Sequence, residues 1–255
     1  MVSLGHSQSG IRSVWDTLSL GHDLSGIRSV WDAVRKLKIF EKLRQITDDR
    51  CGGSQSRVEC SRQLRLKNAG GQLQTGKITG FWELHGKYEI IVNCSGIGAR
   101  ALTGDMNVYP VRGQIHKVHA PWLKHFVRVG DGTSYIYPGI SSVTLGGTRQ
   151  KDDWRMSVDP SDSEAIFKAC CALEPSLQRA RKLFEGVGLR PVRAVLRLEK
   201  EKLEGEGSHM YLVHNYGHGG TGVTFHWGTA KEAAQLVQEC VTEIRCRPVR
   251  PKPKL

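Results

Sequence analysis

The sequence lacks most of the signatures that assign a chemistry at sight. No G-x-G-x-x-G stands in its first half, the glycine turn that normally opens a dinucleotide-binding domain. No apolar run approaches the length of a transmembrane helix. The 7 cysteines form no C-x-x-C pair, which argues against a disulfide framework or a zinc site and for a reducing compartment. Neither H-E-x-x-H nor G-x-S-x-G occurs, so a metalloprotease and an α/β-hydrolase have no support. Histidines at 116, 119, 125, 209, 214, 218 and 226 show no ligand spacing. His214 and His218 are expected to be separated by a glycine loop, and no metal is expected. The opening residues MVSLGHSQSG lack an apolar core, so a secretory signal is not expected.

What is present is a basic chain with enough apolar content to bury a core. Of 255 residues 39% are hydrophobic, and 37 Lys/Arg against 25 Asp/Glu give a net charge of +12. Five of the basic residues fall in the last eleven positions, RCRPVRPKPKL. The other basic residues are scattered among apolar ones without a nucleic-acid motif, so an anionic small substrate is the expected partner rather than nucleic acid or membrane. The chain ends Pro-Lys-Leu, close to the Ser-Lys-Leu address read by the peroxisomal import receptor. The expected location is the peroxisome, otherwise the cytosol.

Residues 3–16 and 19–32 are a tandem duplication, SLGHSQSGIRSVWD and SLGHDLSGIRSVWD. Two copies are too few for a repeat architecture, and residues 1–60 are left unassigned. Apolar positions 30, 34, 37, 40 and 43 follow helical spacing and suggest an amphipathic helix over 30–46, with loop at 52–56. Strands are expected at 88–93, 108–118 (interrupted by Pro110 and Gly113), 134–137, 142–145 and 211–213. Helices are expected at 165–173 behind a capping box at 161–164, at 175–184, and at 228–245. The pattern predicts an α/β or α+β protein.

Residues 214–228 read HNYGHGGTGVTFHWG, with four glycines in six positions ahead of the last helix. Such a loop lets backbone approach a ligand, and the helix start favours an anionic or electron-rich one. Arg128, Arg149 and Arg190 stand beside glycine or proline, placed to grip carboxylates in a bidentate way; each has the alternative of being a surface cation. Tyr135 and Tyr137 are expected on opposite sides of a strand, one for a carboxylate and one for packing. Cys94 is expected to be buried and inert.

Taken together, VNCSGIGA (92–99), VRGQIHKVHAPW (111–122), YIYPG (135–139), TLGGTRQKDDW (144–154), CCALEPSL (170–177), GLRPVR (188–193) and NYGHGGTGVTFHWG (215–228) resemble the D-amino-acid oxidase family of flavoproteins. The resemblance covers 61–255 and is strongest to the members that oxidise acidic D-amino acids. It implies an FAD-binding Rossmann-like domain (76–107 and 201–245) interleaved with a mixed-sheet substrate or cap domain (mainly 108–200). It implies noncovalent FAD and FAD-dependent oxidative deamination of D-aspartate or D-glutamate by O2 to a 2-oxo acid, ammonia and hydrogen peroxide.

By the same resemblance Tyr135 and Arg190 hold the α-carboxylate, and Arg128 and Arg149 the side-chain carboxylate. Gly219, Gly220, Val223 and Thr224 lie along the flavin, while Ile78 and Ser95 touch the dinucleotide part. Gly220 stands where some members carry serine. Family members begin with a strand, G-x-G-x-x-G and helix that cradle the pyrophosphate. That unit is not in the first half of this sequence, so the Rossmann-like domain is expected to be incomplete. A truncated, inactive member and an oxidase of neutral D-amino acids are the alternatives.

Overall fold

The computed structural model describes residues 70–205 and 208–246, Asn68, and the backbone of strand β1 (Lys38–Glu41). The duplicated segment, the stretch 52–56 and the terminal Pro-Lys-Leu lie outside the described residues. β1 corrects part of the helix expected over 30–46, because it pairs in parallel with β2 (Gln72–Thr75). A pairing with residues more than thirty positions away leaves no trace in local apolar spacing.

The remaining strands form one eight-stranded mixed sheet, as the mixed α/β pattern predicts. Numbered along the chain, they are β3 (Ile90–Asn93), β4 (Tyr109–His119), β5 (Val127–Arg128), β6 (Tyr135–Pro138), β7 (Val143–Gly146), β8 (Gln150–Lys151), β9 (Arg181–Gly205) and β10 (Ser208–His218). Their order across the sheet is β3-β10-β9-β4-β7-β6-β5, with β8 against the start of β4. Only β3 and β10 run parallel within it.

β9 holds the sheet together. Its first half pairs with β4 and its second with β10, and Val192 at the changeover faces both Tyr109 and His218. The helix expected at 175–184 is therefore wrong. A short 3-10 turn (Pro175–Arg179) is capped by the Glu174 carboxylate and gives way to β9. Gly186, Gly188 and Pro191 all disfavour a helix there. Pro110 and Gly113 do not interrupt β4, which runs on for 11 residues.

Three α-helices are present among the described residues: α1 (Ala99–Thr103), α2 (Pro160–Leu173) and α3 (Gly222–Arg245). α2 starts earlier than the sequence suggests. Asp159 is its N-cap, accepting from the backbone N–H of Ser161 and Asp162, and Pro160 occupies the first turn. α3 also starts earlier, directly at the glycine loop. β10 carries five consecutive buried residues, 210–214, because it is covered on both faces. Tyr211 and Val213 meet Ala233 and Cys240 of α3, while Met210 and Leu212 meet Phe81 and Leu84 of a 3-10 turn. On the other side of β9, Val118, Ile136, Leu145 and Ile166 build a second core beneath α2.

The two faces of β4 are unlike. Arg112, Gln114, His116 and Val118 are buried toward α2. Gly113 points the other way, and a methyl on it would overlap the Arg190 guanidinium. This period-2 division separates the supporting side of the sheet from the side that holds the candidate site.

Candidate functional site

Arg190 leaves β9 opposite Val111 of β4. Its Nη1 donates to the carbonyls of Thr148 at 3.0 Å and Val111 at 3.4 Å. The Tyr135 phenol lies near enough to its guanidinium for the two to interact electrostatically. Burial raises the Tyr135 hydroxyl above its usual value, against the pull of the Arg190 charge. Burial pulls Arg190 down, offset by Tyr135 and reinforced by the nearby Arg149 charge. Gly146 and Gly147 clear the space Tyr135 fills, since a methyl on Gly146 would overlap the phenol ring.

Tyr135 and Tyr137 do not part as expected. Their rings stack at 4.3 Å, and Tyr137 stacks in turn on Phe126 at 4.8 Å. Residues i and i+2 of a strand share a face, and it is Ile136 between them that is buried in the core. Arg128 sits across the β5–β6 ladder from Tyr135, its Nη2 2.6 Å from where a methyl on Gly132 would stand. Arg149 Nη1 donates to the Asp131 carbonyl at 3.3 Å. Arg128 and Arg149 thus meet the same 129–134 loop from two sides. None of the three arginines forms a salt bridge among the described residues.

The glycine loop comes down on the same arginine. A methyl on Gly220 would stand 3.3 Å from Arg190 Cδ, and one on Gly219 (φ 60°) 3.2 Å from Val192. Gly217 has φ 91° and packs so closely that a methyl would reach 2.8 Å from Arg193 Cβ, so both position and conformation demand glycine. α3 begins next, and its cap residue Thr221 makes no side-chain bond to the free N–H groups. Val223 and Thr224 lie in this first turn. His218 Nε2 is buried at the loop without a hydrogen-bond partner. Burial lowers the His218 pKa, which favours the neutral ring.

Of the residues expected at the dinucleotide part, Ile78 packs against the Phe81 and Leu84 cluster, whereas Ser95 ends β3. Tyr135, Arg190, Arg149 and Gly220 are thus brought together and Arg128 borders them, while Ile78 belongs to a separate wall. His214 and His218 lie on one strand with no glycine loop between them. Among the described residues no group of three potential metal ligands is gathered.

The sequence reading passed over a buried polar network. Ser95 binds Asn93, Asn93 binds His214 and His214 binds Glu201. Glu201 pairs with Arg197, whose Nη1 donates to the Tyr216 hydroxyl. Tyr216 donates to Asp105, which also pairs with Arg193 beneath Gly217. Burial alone would raise Asp105, but the bonds from Tyr216 and Arg193 hold it below the ordinary carboxylate value. The reading also passed over Gly96-Ile-Gly98-Ala-Arg-Ala101, which fits the alanine-ended variant of the dinucleotide fingerprint and joins β3 to α1. There a methyl on Gly98 would stand 3.6 Å from Ser95 Cβ.

Comparison with known proteins agrees with this architecture. The family model described as FAD dependent oxidoreductase matches residues 62–236. D-aspartate oxidase of Homo sapiens is 54% identical over 183 residues, 72% of this chain and 54% of that protein. D-amino-acid oxidase of Rubrobacter xylanophilus is 45% identical over 68% of this chain and 53% of that protein. The chain spans about half the length of the curated relatives it matches. Glycine oxidase from Geobacillus kaustophilus shares the fold with a TM-score of 0.59 at 22% identity, over 68% of this chain and 51% of that structure. The chain belongs to the FAD-dependent oxidoreductase family, whose cofactor is FAD, and the relatives it resembles in sequence include D-aspartate and D-amino-acid oxidases.

Proposed function

We propose that the chain carries the substrate-recognition and flavin-facing part of an oxidase of acidic D-amino acids. One observation carries this reading: three arginines and a tyrosine gather beside the glycine loop, and none of the three cations is paired with a carboxylate. Arg190 is half-buried, and a half-buried cation left unpaired calls for an anion; Arg128 and Arg149 are exposed beside it. An α-carboxylate and a side-chain carboxylate supply two.

The loop fits the flavin of FAD on independent grounds. It has close-approach glycines at 217 and 219, an uncapped helix start at Gly222, and an orphaned neutral imidazole at His218. When bound, FAD accepts the hydride from the substrate α-carbon and passes both electrons to O2 as hydrogen peroxide. Arg190 and Tyr135 hold the α-carboxylate so that the α-hydrogen points at the loop. Arg149 and Arg128 receive the second carboxylate and fix the side chain. The substrate amine gives up a proton as the imine forms, and water then hydrolyses the imine to a 2-oxo acid and ammonia. No protein group is needed as a base at carbon, because orientation does the work. The free N–H groups of the first turn of α3 would stabilise the negative charge that reduction builds on a flavin held at the loop.

The test is to express the full chain, record its visible spectrum, and assay peroxide with D-aspartate and D-alanine. A yellow protein that turns over D-aspartate faster than D-alanine is expected, because D-alanine offers Arg128 and Arg149 no second carboxylate. Arg149→Leu should shift preference away from dicarboxylates; unchanged D-aspartate kinetics would refute the assignment. The alternative outcome is a member that binds dicarboxylates without turnover. D-aspartate binding by a colourless protein would identify it.

A further inference from the structure

The hydrogen-bond directions between β3, β10 and β9 can be fixed one after another. Ser95 N–H is 3.2 Å and Ser95 Oγ 2.6 Å from the same side-chain oxygen of Asn93. A backbone N–H can only donate, so that atom is the amide oxygen and the Asn93 amide cannot be turned round. Its nitrogen then faces His214 Nδ1 at 3.2 Å, and Nδ1 must accept. The ring proton is therefore on Nε2, donating to Glu201 at 3.0 Å. Asn93 and His214 are fully buried, and no water competes for these bonds. Ser95 spends its single proton on Asn93, so its oxygen has only lone pairs left to offer.

We propose that Glu201, His214 and Asn93 are a positioning relay that makes Ser95 a pure hydrogen-bond acceptor, so that the end of β3 selects a donor on the adenosine part of FAD. The inference rests on the FAD reading above and adds the direction of one contact and the residues that set it.

Protonation of His214 breaks the relay. Nδ1 would then carry a hydrogen against the Asn93 N–H2, and the amide could relieve this only by turning its oxygen away from Ser95. The charged groups facing the ring are Glu201, Glu199 and Arg197, all on β9, with the edge of Tyr216 from β10 and of Phe81 from the opposite face. Burial and Arg197 disfavour the cation more than the two glutamates favour it, and the ring stays neutral below its ordinary value of 6.5.

The experiment titrates the full chain with FAD and with FMN by flavin fluorescence, between pH 5 and 8, in wild type, His214→Leu and His214→Asn. Asparagine keeps an acceptor where Nδ1 stood, and leucine does not. His214→Leu should weaken FAD about tenfold, His214→Asn should stay within a few-fold of wild type, and FMN affinity should be alike in all three. Wild-type FAD affinity should fall with acidification while His214→Asn stays flat. Equal losses in both variants, or equal effects on FMN, overturn the relay. So does a nitrogen NMR spectrum of the wild type showing the His214 proton on Nδ1, a measurement that needs neither a variant nor a ligand. Wild-type chain that binds no FAD at any pH instead overturns the proposed function, and the adenosine half of this inference with it.

Discussion

Arg112 and Arg190 stand on neighbouring strands, one position out of register, and point to opposite faces of the sheet. Arg112 is wholly buried with every side-chain nitrogen engaged: Asp162 and Gln150 take Nη1, Gln114 and the Ser157 carbonyl take Nη2, and the Arg155 carbonyl takes Nε. Arg190 has two carbonyls and a tyrosine, and no carboxylate. The same side chain closes a structure on one face and leaves a charge unanswered on the other. A guanidinium saturated by its own chain has nothing left for a ligand.

The strongest way to break that contrast is at the saturated end. Arg112→Met should cost about 3–5 kcal/mol of stability, because it strands the Asp162 carboxylate and the Gln114 and Gln150 amides beneath α2. Urea unfolding measures it, and a loss under about 1 kcal/mol would show that the network reorganises and that saturation means little. Arg190→Leu should do the reverse. Unfolding should be unchanged within about 1 kcal/mol or shifted toward greater stability, since a partly buried unpaired cation is removed. D-aspartate binding should weaken by about 2–5 kcal/mol by calorimetry. If Arg190→Leu unfolds as readily as Arg112→Met, the two arginines do the same job and the site loses its main support.

The sequence pointed to Arg190, Arg149 and Arg128 because each sits near glycine or proline, and to Tyr135 as a strand tyrosine, and both cues are local. It did not point to Arg112, although this residue lies inside one of the motifs read. Four of the five partners of Arg112 are 38 to 50 positions away, and nothing in the run VYPVRGQ says which face of the strand is covered. His214 was visible only as a non-ligand, because its partners Asn93 and Glu201 come from other strands 121 and 13 residues off. Strand β3 was legible as a short apolar run, and β4, β6 and β7 as strand-like segments set among proline and glycine. β9 was not, because its charged run LEKEKLEG pairs with β10 and resembles a solvated helix or loop. The start of α3 at Gly222 was hidden by the glycines that make the loop.

Acid should loosen both halves through histidine. His116 lies on the Arg112 face, His214 on the other half, and burial lowers both, along with His218. With folded-state values below 6.5, the unfolded chain takes up protons first as the pH falls. Stability should therefore be full above about pH 6.5 and decline below it, down through the folded-state values. His116→Gln and His214→Asn should each flatten part of that decline. A stability that rises on acidification through this range would contradict the burial of these rings.

The smallest effect tests how tightly the glycine loop and Arg190 are matched. Gly220 has no positive φ, so alanine is conformationally allowed there and should favour folding by about 0.4–1 kcal/mol through the unfolded chain. Its methyl would stand 3.3 Å from Arg190 Cδ, closer than comfortable packing, and the nearest atom belongs to a side chain that can move. If Arg190 gives way, the guanidinium moves relative to Tyr135 while the fold hardly notices. Gly220→Ala should then keep or raise the melting temperature and weaken D-aspartate binding by a few-fold, under about 1 kcal/mol. The same substitution at Gly219 should destabilise, because φ there is 60°. Equal behaviour of the two variants would mean that the loop does not rest on Arg190 and that the two walls of the site move independently.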